Sequence, residues 1–428
     1  MNNPLRLGIA GLGTVGIGVL KILKQQSALL SIRTGREISI TAVSAQSRNK
    51  DRGISIASFA WEDDPITLAT RDDIDVFVEL IGGTDGTAKT ATEAAIAAGK
   101  HVVTANKAML AIHGQALAEA AEMNKVSLRF EAAVAGGIPV IKALTEGLAG
   151  NTINRIMGVM NGSCNYILTR MESAGLTYAE VFAEAKELGY LEADPQLDVG
   201  GIDAAHKLAI LSTIAFGTRI NFDGIELEGI ERISIEDIRH SADMGYKIKL
   251  LGVSQKTDRG LEQRMMPCLV PDSSPFAQLQ GGTNMVAIEG DAVEQIALRG
   301  PGAGEGPTAS AVLADICDIA RGHLMPVFGQ PANTLTKSPS AKSVMSAPYY
   351  LRMTIDDKPG ALAKITTIIG DAGVSIDRMR QYGHANSSAP VLIVTHNCTR
   401  TAMDEALSAI KNTDVLGSDP VVLRIEAV

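Results

Sequence analysis

Short apolar runs closed by glycine or polar turns recur through the first third of the chain. Leu5–Ala10 is the first, followed by Gly11-Leu12-Gly13-Thr14-Val15-Gly16 and a helical pattern through Val19, Leu20, Ile22 and Leu23. Residues 38–43, 75–81, 101–107 and 128–133 repeat the strand pattern, with an alanine-rich helix at 88–98. Apolar strands alternating with helices predict an α/β fold with a doubly wound parallel sheet and ligands at the carboxyl ends of its strands. Further on, apolar periodicity predicts helices at 140–147, Ile202–Phe216 and 311–321, and strands near Ile233, at 249–255 and at 286–291. Those strands are expected to form an antiparallel sheet packed on the Ile202 helix, in an α+β catalytic and dimerisation domain. Residues 330–347, rich in Pro, Ser, Lys and Ala, read as a linker. After it the order strand 349–355, helix 361–372, strands 374–379 and 391–396, helix 401–411 and strand 421–427 is the βαββαβ ferredoxin-like motif. The expected division is therefore 1–130 for the Rossmann-type unit, completed by about 305–330; 131–304 for the catalytic part; 331–347 for the linker; and 348–428 for the last domain.

Strand, glycine turn and helix in that order suit a dinucleotide. The glycines permit a tight turn and close backbone approach, and the helix N-terminus favours a pyrophosphate. Gly11, Gly13, Thr14, Val15 and Gly16 are the candidate contacts. The next strand ends in Ser44-Ala45-Gln46-Ser47-Arg48-Asn49-Lys50, with no acid before Asp51 to bind ribose hydroxyls. Arg48 and Lys50 would instead accommodate a 2′-phosphate, which points to NADP, with NAD as the alternative.

A second feature lies at Gly189-Tyr190-Leu191-Glu192-Ala193-Asp194-Pro195-Gln196-Leu197-Asp198-Val199-Gly200-Gly201-Ile202-Asp203-Ala204-Ala205-His206-Lys207. An acidic loop feeds a helix on which Asp203 and Lys207 share a face at i,i+4 spacing. Spacing alone favours an ordinary surface ion pair beside a solvated acidic loop. Lys207, however, is followed by Leu208, Ile210 and Leu211 and flanked by alanines, so partial desolvation would suit it to proton transfer.

This stretch resembles the signature of homoserine dehydrogenases, with Leu191 as its one departure where the family usually carries a small residue. The resemblance implies that Glu192 and Asp203 bind the amino acid, with Asp198 supporting the site, and that Lys207 donates the proton. It extends to Val103-Thr104-Ala105-Asn106-Lys107, where it implies a lysine between nicotinamide and substrate, and makes Gly82, Thr84, Ala105 and Gly189 cofactor neighbours. The glycine loop 299–310 matches likewise, placing Gly304 and Glu305 near the nicotinamide. At Glu131, Val134, Gly136 and Ile138 it implies a monovalent cation site for Na⁺ or K⁺, where the residues alone read as structural. The turn Asp357-Lys358-Pro359-Gly360-Ala361-Leu362 with Gly373 resembles ACT regulatory domains, which bind amino acids between paired copies; threonine or another pathway amino acid is the expected effector, with a purely oligomerising module as the alternative. The implied reaction is reversible reduction of L-aspartate 4-semialdehyde to L-homoserine, in threonine, methionine and isoleucine biosynthesis, by a homodimer or homotetramer.

With 428 residues, 46% hydrophobic, 20% charged and a net charge of −9, the chain is expected to be globular and to bind small molecules, not nucleic acid. Four scattered cysteines without CxxC spacing suggest neither disulfides nor zinc. No signal-type N-terminus or membrane-length apolar run is read, so a cytoplasmic protein is expected. Two rivals stay open: a semialdehyde dehydrogenase forming a thioester at Cys164, and a catalytically idle sensor binding NADP and an amino acid.

Overall fold

A computed structural model describes every residue except 1–2, 192–193, 343 and 383–387. Its first sheet is wholly parallel, in the order β3-β2-β1-β4-β5-β6. The strands are β1 Leu5–Ala10, β2 Ile38–Ser44, β3 Ala60–Glu62, β4 Val76–Glu79, β5 His101–Thr104 and β6 Leu128–Arg129. Buried on both faces by helices, they are apolar nearly throughout, and the strand order reverses beside β1, where a doubly wound sheet opens its ligand crevice. The strand expected at 128–133 stops at Arg129. Glu131–Ala133 is instead a 3₁₀ turn, pulled out of the sheet because Asp315 accepts the Glu131 N–H at 2.8 Å.

The second sheet runs β12-β11-β7-β9-β10-β16-β13-β15-β14, with β8 against β10. Its strands are β7 Ile153–Val159, β8 Glu226–Leu227, β9 Tyr246–Thr257, β10 Gly260–Pro271, β11 Thr283–Gly290, β12 Glu294–Pro301, β13 Tyr349–Asp356, β14 Ile376–Gln381, β15 Ser388–Thr395 and β16 Val421–Ile425. No strand forms near Ile233. A capping box between Ser234 and Asp237 starts the helix Ile235–Asp243 there. The helix Ile202–Phe216 packs on the β7–β9–β10 face, as its buried Leu208 and Leu211 dictate.

One helix, Thr14–Thr34, has the length and hydropathy of a membrane span. It begins at the glycine turn and packs Val19, Leu20 and Leu23 into the core shared with helix Glu305–Ala320. That second helix starts earlier than expected, directly on the glycine loop, with Pro307 in its first turn.

The segment expected as a linker is a packed strap. Ala332, Leu335 and Ala341 are buried, and bridges join Thr336 to Thr218 and Ser340 to Leu261. The ferredoxin-like domain is joined still more closely, because its strand β16 also pairs in parallel with β10. Arg264, on β10 and 1% exposed, donates to Glu426 at 2.5 Å and to Glu262 at 2.5 Å. Arg155 and Arg424 reach Glu426 at 2.7 and 2.6 Å. Burial opposes ionisation of Glu426, but these three guanidiniums hold its carboxyl below the ordinary value of 4.5. A depressed acid contributes stability that is full above its unfolded pKa and lost as pH falls through its folded one. Glu426→Gln should cost about 3–5 kcal/mol by leaving buried arginines uncompensated. The gap to wild type, measured by denaturant titration, should narrow below about pH 4.5; equal stability of the two proteins would remove this network from the account.

Candidate active site

The crevice beside β1 is shaped for close backbone approach. Gly11 has φ +98°, and a Cβ there would lie 2.3 Å from the Leu80 carbonyl oxygen. A Cβ at Gly13 would meet nothing within 4 Å, so the turn is open above it. Helix Thr14–Thr34 has no side-chain cap, which leaves the amides of its first turn, including Val15 and Gly16, facing that space. At the end of β4 the buried Glu79 accepts the Ile81 and Gly82 N–H groups at 2.7 and 2.9 Å and the Thr104 hydroxyl at 2.5 Å. Asn106 caps the next helix and donates to Gly83 at 2.7 Å. Lys107 is therefore the first residue of helix Lys107–Met123, beside the Gly82–Thr84 loop and Ala105. Sequence reasoning missed Glu79 and Asn106. An acid closing an apolar strand and an asparagine preceding a helix were the available signals.

Arg48 and Lys50 are exposed past the end of β2. The Arg48 guanidinium lies 5.9 Å over the Trp61 ring, as does that of Arg52, and Arg52 also donates to the Lys50 carbonyl at 2.8 Å. Arg52 thus joins the two cations expected there. Across the crevice Glu305 opens its helix and pairs with Lys21 at 2.7 Å. A Cβ at Gly18 would lie 2.7 Å from the Glu305 carbonyl oxygen, so the Gly304–Glu305 turn presses on the dinucleotide helix.

On the other wall, Asp203 stands between two lysines. Its Oδ1 is 2.8 Å from Lys107 Nζ and its Oδ2 is 2.7 Å from Lys207 Nζ. Lys207 also donates to the Met160 carbonyl at 2.8 Å and is 8% exposed. The burial expected of this lysine is present, and its ammonium is paired with Asp203. Burial works against the Asp203 anion, and the two ammonium groups, Lys207 before Lys107, overcome it and hold the carboxyl well below the usual carboxylate range. Asn161, which the sequence reading left without a role, bridges the acids. Its Nδ2 donates to Asp198 at 3.1 Å and to Asp203 at 3.4 Å, and its Oδ1 caps the helix Gly162–Ala174. An asparagine before Gly162 was the only local sign.

Glu192 lies outside the described residues. Gly189, with φ +75°, belongs to the turn after helix Tyr178–Glu187 in the catalytic half. The next residue, Tyr190, stacks on Tyr166 at 4.2 Å and accepts the Ser163 hydroxyl at 2.6 Å. Cys164 is fully buried and donates to the Asp198 carbonyl at 3.2 Å. Burial first, then the Asp198 and Asp203 charges, raise its thiol well above the ordinary value. It is a structural thiol, and the thioester alternative falls with it.

Glu131 accepts the Ile141 and Lys142 N–H groups, both at 2.9 Å. Burial, followed by the neighbouring Asp315, pushes its carboxyl up to about 7. Val134, Gly136 and Ile138 follow in a turn bent by left-handed Ala135 and Gly136, at φ 56° and 52°. The Ile138 carbonyl accepts Val140 N–H at 2.8 Å.

Three family models match in succession. Those described as the NAD binding domain of homoserine dehydrogenase, homoserine dehydrogenase and the ACT domain cover residues 11–131, 139–317 and 349–414. The chain is similar to the homoserine dehydrogenase of Neisseria gonorrhoeae, 43% identical over 432 residues with 99% of both chains covered. The Pseudomonas aeruginosa homoserine dehydrogenase is 39% identical, again over 99% of both. A crystal structure of a homoserine dehydrogenase from Thiobacillus denitrificans superposes with a TM-score of 0.93 at 38% identity, covering 99% of this chain and 98% of that one. A hyperthermophilic archaeal homoserine dehydrogenase in complex with NADPH gives 0.65 at 26% identity, covering 75% and 98%. With a parallel dinucleotide sheet facing a lysine–aspartate–lysine cluster, and with relatives matching end to end, the chain belongs to the homoserine dehydrogenase family, oxidoreductases of amino-acid biosynthesis.

Proposed function

We propose that Lys207 carries the proton and Lys107 the charge in the family's reaction, the reversible reduction of L-aspartate 4-semialdehyde to L-homoserine. The observation that supports this most is Asp203 held between the two ammonium groups at 2.8 and 2.7 Å. A nicotinamide cofactor held by the Gly11–Gly16 turn would supply the hydride in the reductive direction. Lys207 delivers a proton to the nascent alkoxide oxygen, and Lys107 stabilises its charge beforehand. Asp203 aims both lysines. Together with Glu192 and the Asn161-supported Asp198, it offers acceptors to the substrate ammonium, which separates an amino-acid aldehyde from a plain one.

The cofactor reading is NADP, held by the open Gly13 turn, the uncapped helix of Thr14, the Gly82–Thr84 loop and the Arg48–Arg52 cations. The purified protein, mixed with L-homoserine and either dinucleotide, should show reduced-nicotinamide absorbance rising faster with NADP. A faster rise with NAD would overturn the role given to Arg48 and Lys50.

A Na⁺- or K⁺-like cation belongs to the same reading. The donors there are oxygen only, a carboxylate and backbone carbonyls in a tightly bent turn, which suits a hard monovalent ion. The Ile138 carbonyl is the weakest of the four, since Val140 already occupies it.

Regulation by an amino acid, with threonine as first candidate, would act at a cavity of about 320 Å³ in the ferredoxin-like domain. Asp357, Lys358, Gly360 and Gln381 are among the residues that line it. Removing that domain is a poor test, because it would strip Glu426 from Arg264. Gln381→Ala in the full chain should instead weaken threonine inhibition severalfold at unchanged uninhibited turnover; equal inhibition would locate the effector elsewhere. Assembly as a homodimer or homotetramer is supported by the two edge strands of the long sheet, β12 and the largely exposed β14.

A further inference from the structure

The helix Ile235–Asp243 is gripped at both ends by the ferredoxin-like domain. At its start, Arg352 of β13 donates to Asp237 at 2.5 Å, and Asp237, fully buried, closes the capping box with Ser234. At its end, the Tyr382 hydroxyl donates to Asp243 at 2.5 Å, and the Arg380 guanidinium stands 3.8 Å from the same carboxylate. The Tyr382 ring also stacks on His240, with centroids 5.1 Å apart. A helix of nine residues is marginal by itself, so what holds it sets where it lies.

The two grips differ in how easily they move. Arg352 is on β13, which is paired on both sides, by β15 and β16. Tyr382 instead follows directly on Gln381, the end of β14 and a wall of the 320 Å³ cavity. β14 is an edge strand, bonded to β15 alone and largely exposed, and its register slips between Ile376 and Arg378. A strand held on one side shifts at lower cost than one held on two.

The other face of the helix leads to the active site. It packs on the helix Gly162–Ala174, where Ile235 and Ile238 join the core of Leu168 and Met171. At the C-cap of that second helix, a Cβ on Gly175 would lie 3.4 Å from the Arg239 guanidinium. Its 13 residues span about 20 Å, and packed helices slide as units more readily than they deform. Its far end is capped by Asn161, whose amide bridges Asp198 and Asp203.

We infer that the helix Ile235–Asp243 is the relay through which an amino acid bound beside Gln381 controls substrate affinity. The bound ligand shifts β14, Tyr382 carries the shift to Asp243, and the helix pivots about Asp237 and pushes Gly162–Ala174 at its far end. This rests on the regulatory reading above, and it fixes the kind of inhibition. Asn161 supports the acids that accept the substrate ammonium, whereas the dinucleotide cradle is built on other elements. The effector therefore raises the KM for homoserine and leaves the Kd of NADPH alone.

The test uses the full chain, with L-threonine as the probe and L-methionine or L-isoleucine in its place should threonine not bind. In wild type the probe should raise the KM for L-homoserine at least about fivefold, the lower end of ordinary allosteric coupling. Coupling is reciprocal, so saturating L-homoserine with NADPH, a pair that cannot react, should weaken probe binding by the same factor; NADPH alone should not. Tyr382→Phe keeps the ring on His240 and loses only the bond to Asp243, and Asp243→Ala removes the acceptor from the other side. By calorimetry both should bind the probe within about twofold of wild type, keep uninhibited kcat and KM, and lose both effects. Variants that bind the probe and respond as wild type does would overturn the relay and leave the regulatory site standing. So would inhibition confined to kcat, or loss of probe binding in both variants, which would put Tyr382 and Asp243 in the effector site itself. A wild type that binds none of the three amino acids, or binds one without inhibition, would overturn the relay and the regulatory reading together.

Discussion

Lys207→Ala should lower turnover by about a thousandfold, the usual range for a positioned proton donor, while the Kd of NADPH stays within about twofold of wild type, as expected where no cofactor contact is lost. Two of the lysine's three N–H groups are committed, to Asp203 and to the Met160 carbonyl. That fixes the direction of the third. In alanine's place nothing else on the helix Ile202–Phe216 reaches the same point, because Asp203 and Ala204 lie a turn earlier and Leu208 faces the core. The dinucleotide cradle is built from other elements, so binding and chemistry should separate cleanly. Lys207→Arg should not restore the rate, since a planar guanidinium neither fits a pocket 8% exposed nor gives up its proton. Undiminished kcat in the alanine variant would remove lysine from the mechanism.

Asp203→Asn should be the most damaging single change to the site. It leaves the buried Lys207 facing a neutral amide, and uncompensated buried charge costs about 3–5 kcal/mol. Lys107 is more than a quarter exposed, so solvent screens part of its share and the lower end of that range applies. The sign with pH follows from the depressed carboxyl. Its contribution is full above the ordinary aspartate value of 3.8 and is lost only as pH falls further. Denaturant titrations should therefore find the stability gap between wild type and variant constant from neutral pH to about 4 and narrowing below. A gap already closing near pH 6 would mean that Asp203 is not the ion that binds the lysines together. Turnover should fall with stability, and the KM for homoserine should rise because an acceptor for the ammonium is lost.

What the chain disclosed of itself depended on whether local pattern and tertiary environment agreed. Leu5–Ala10 and Ile202–Phe216 were legible to the residue, since most of their positions are buried and their ends are marked by glycine. Strand β10 was not, because Glu262, Gln263 and Arg264 read as surface, yet all are buried, with Glu262 and Arg264 in an ion network closed by Glu426 far along the chain. The strap at 330–347 has a flexible composition but presents Leu335 and Ala341 to a neighbouring surface that sequence cannot reveal. Residues 128–133 have strand composition, and a carboxylate at position 315 draws the second half away. In the site, the i,i+4 spacing put Asp203 and Lys207 together in advance. Lys107 arrives from another helix, Lys107–Met123, and only the fold brings it to the same carboxylate. Asn161 showed only its place before a helix, because an amide acquires the rest of its role from what surrounds it, not from its own period or charge.

The pairing of β16 with β10 also bears on how the molecule is made. Cys268 must wait for Arg424 before the central sheet is whole, and contacts of such separation form slowly. During synthesis the β10 edge, with buried-type Arg264 on it, emerges long before its partner strand. The catalytic half is therefore born with an open, charged sheet edge, and activity should appear on the ribosome only after residues 421–426 have cleared it.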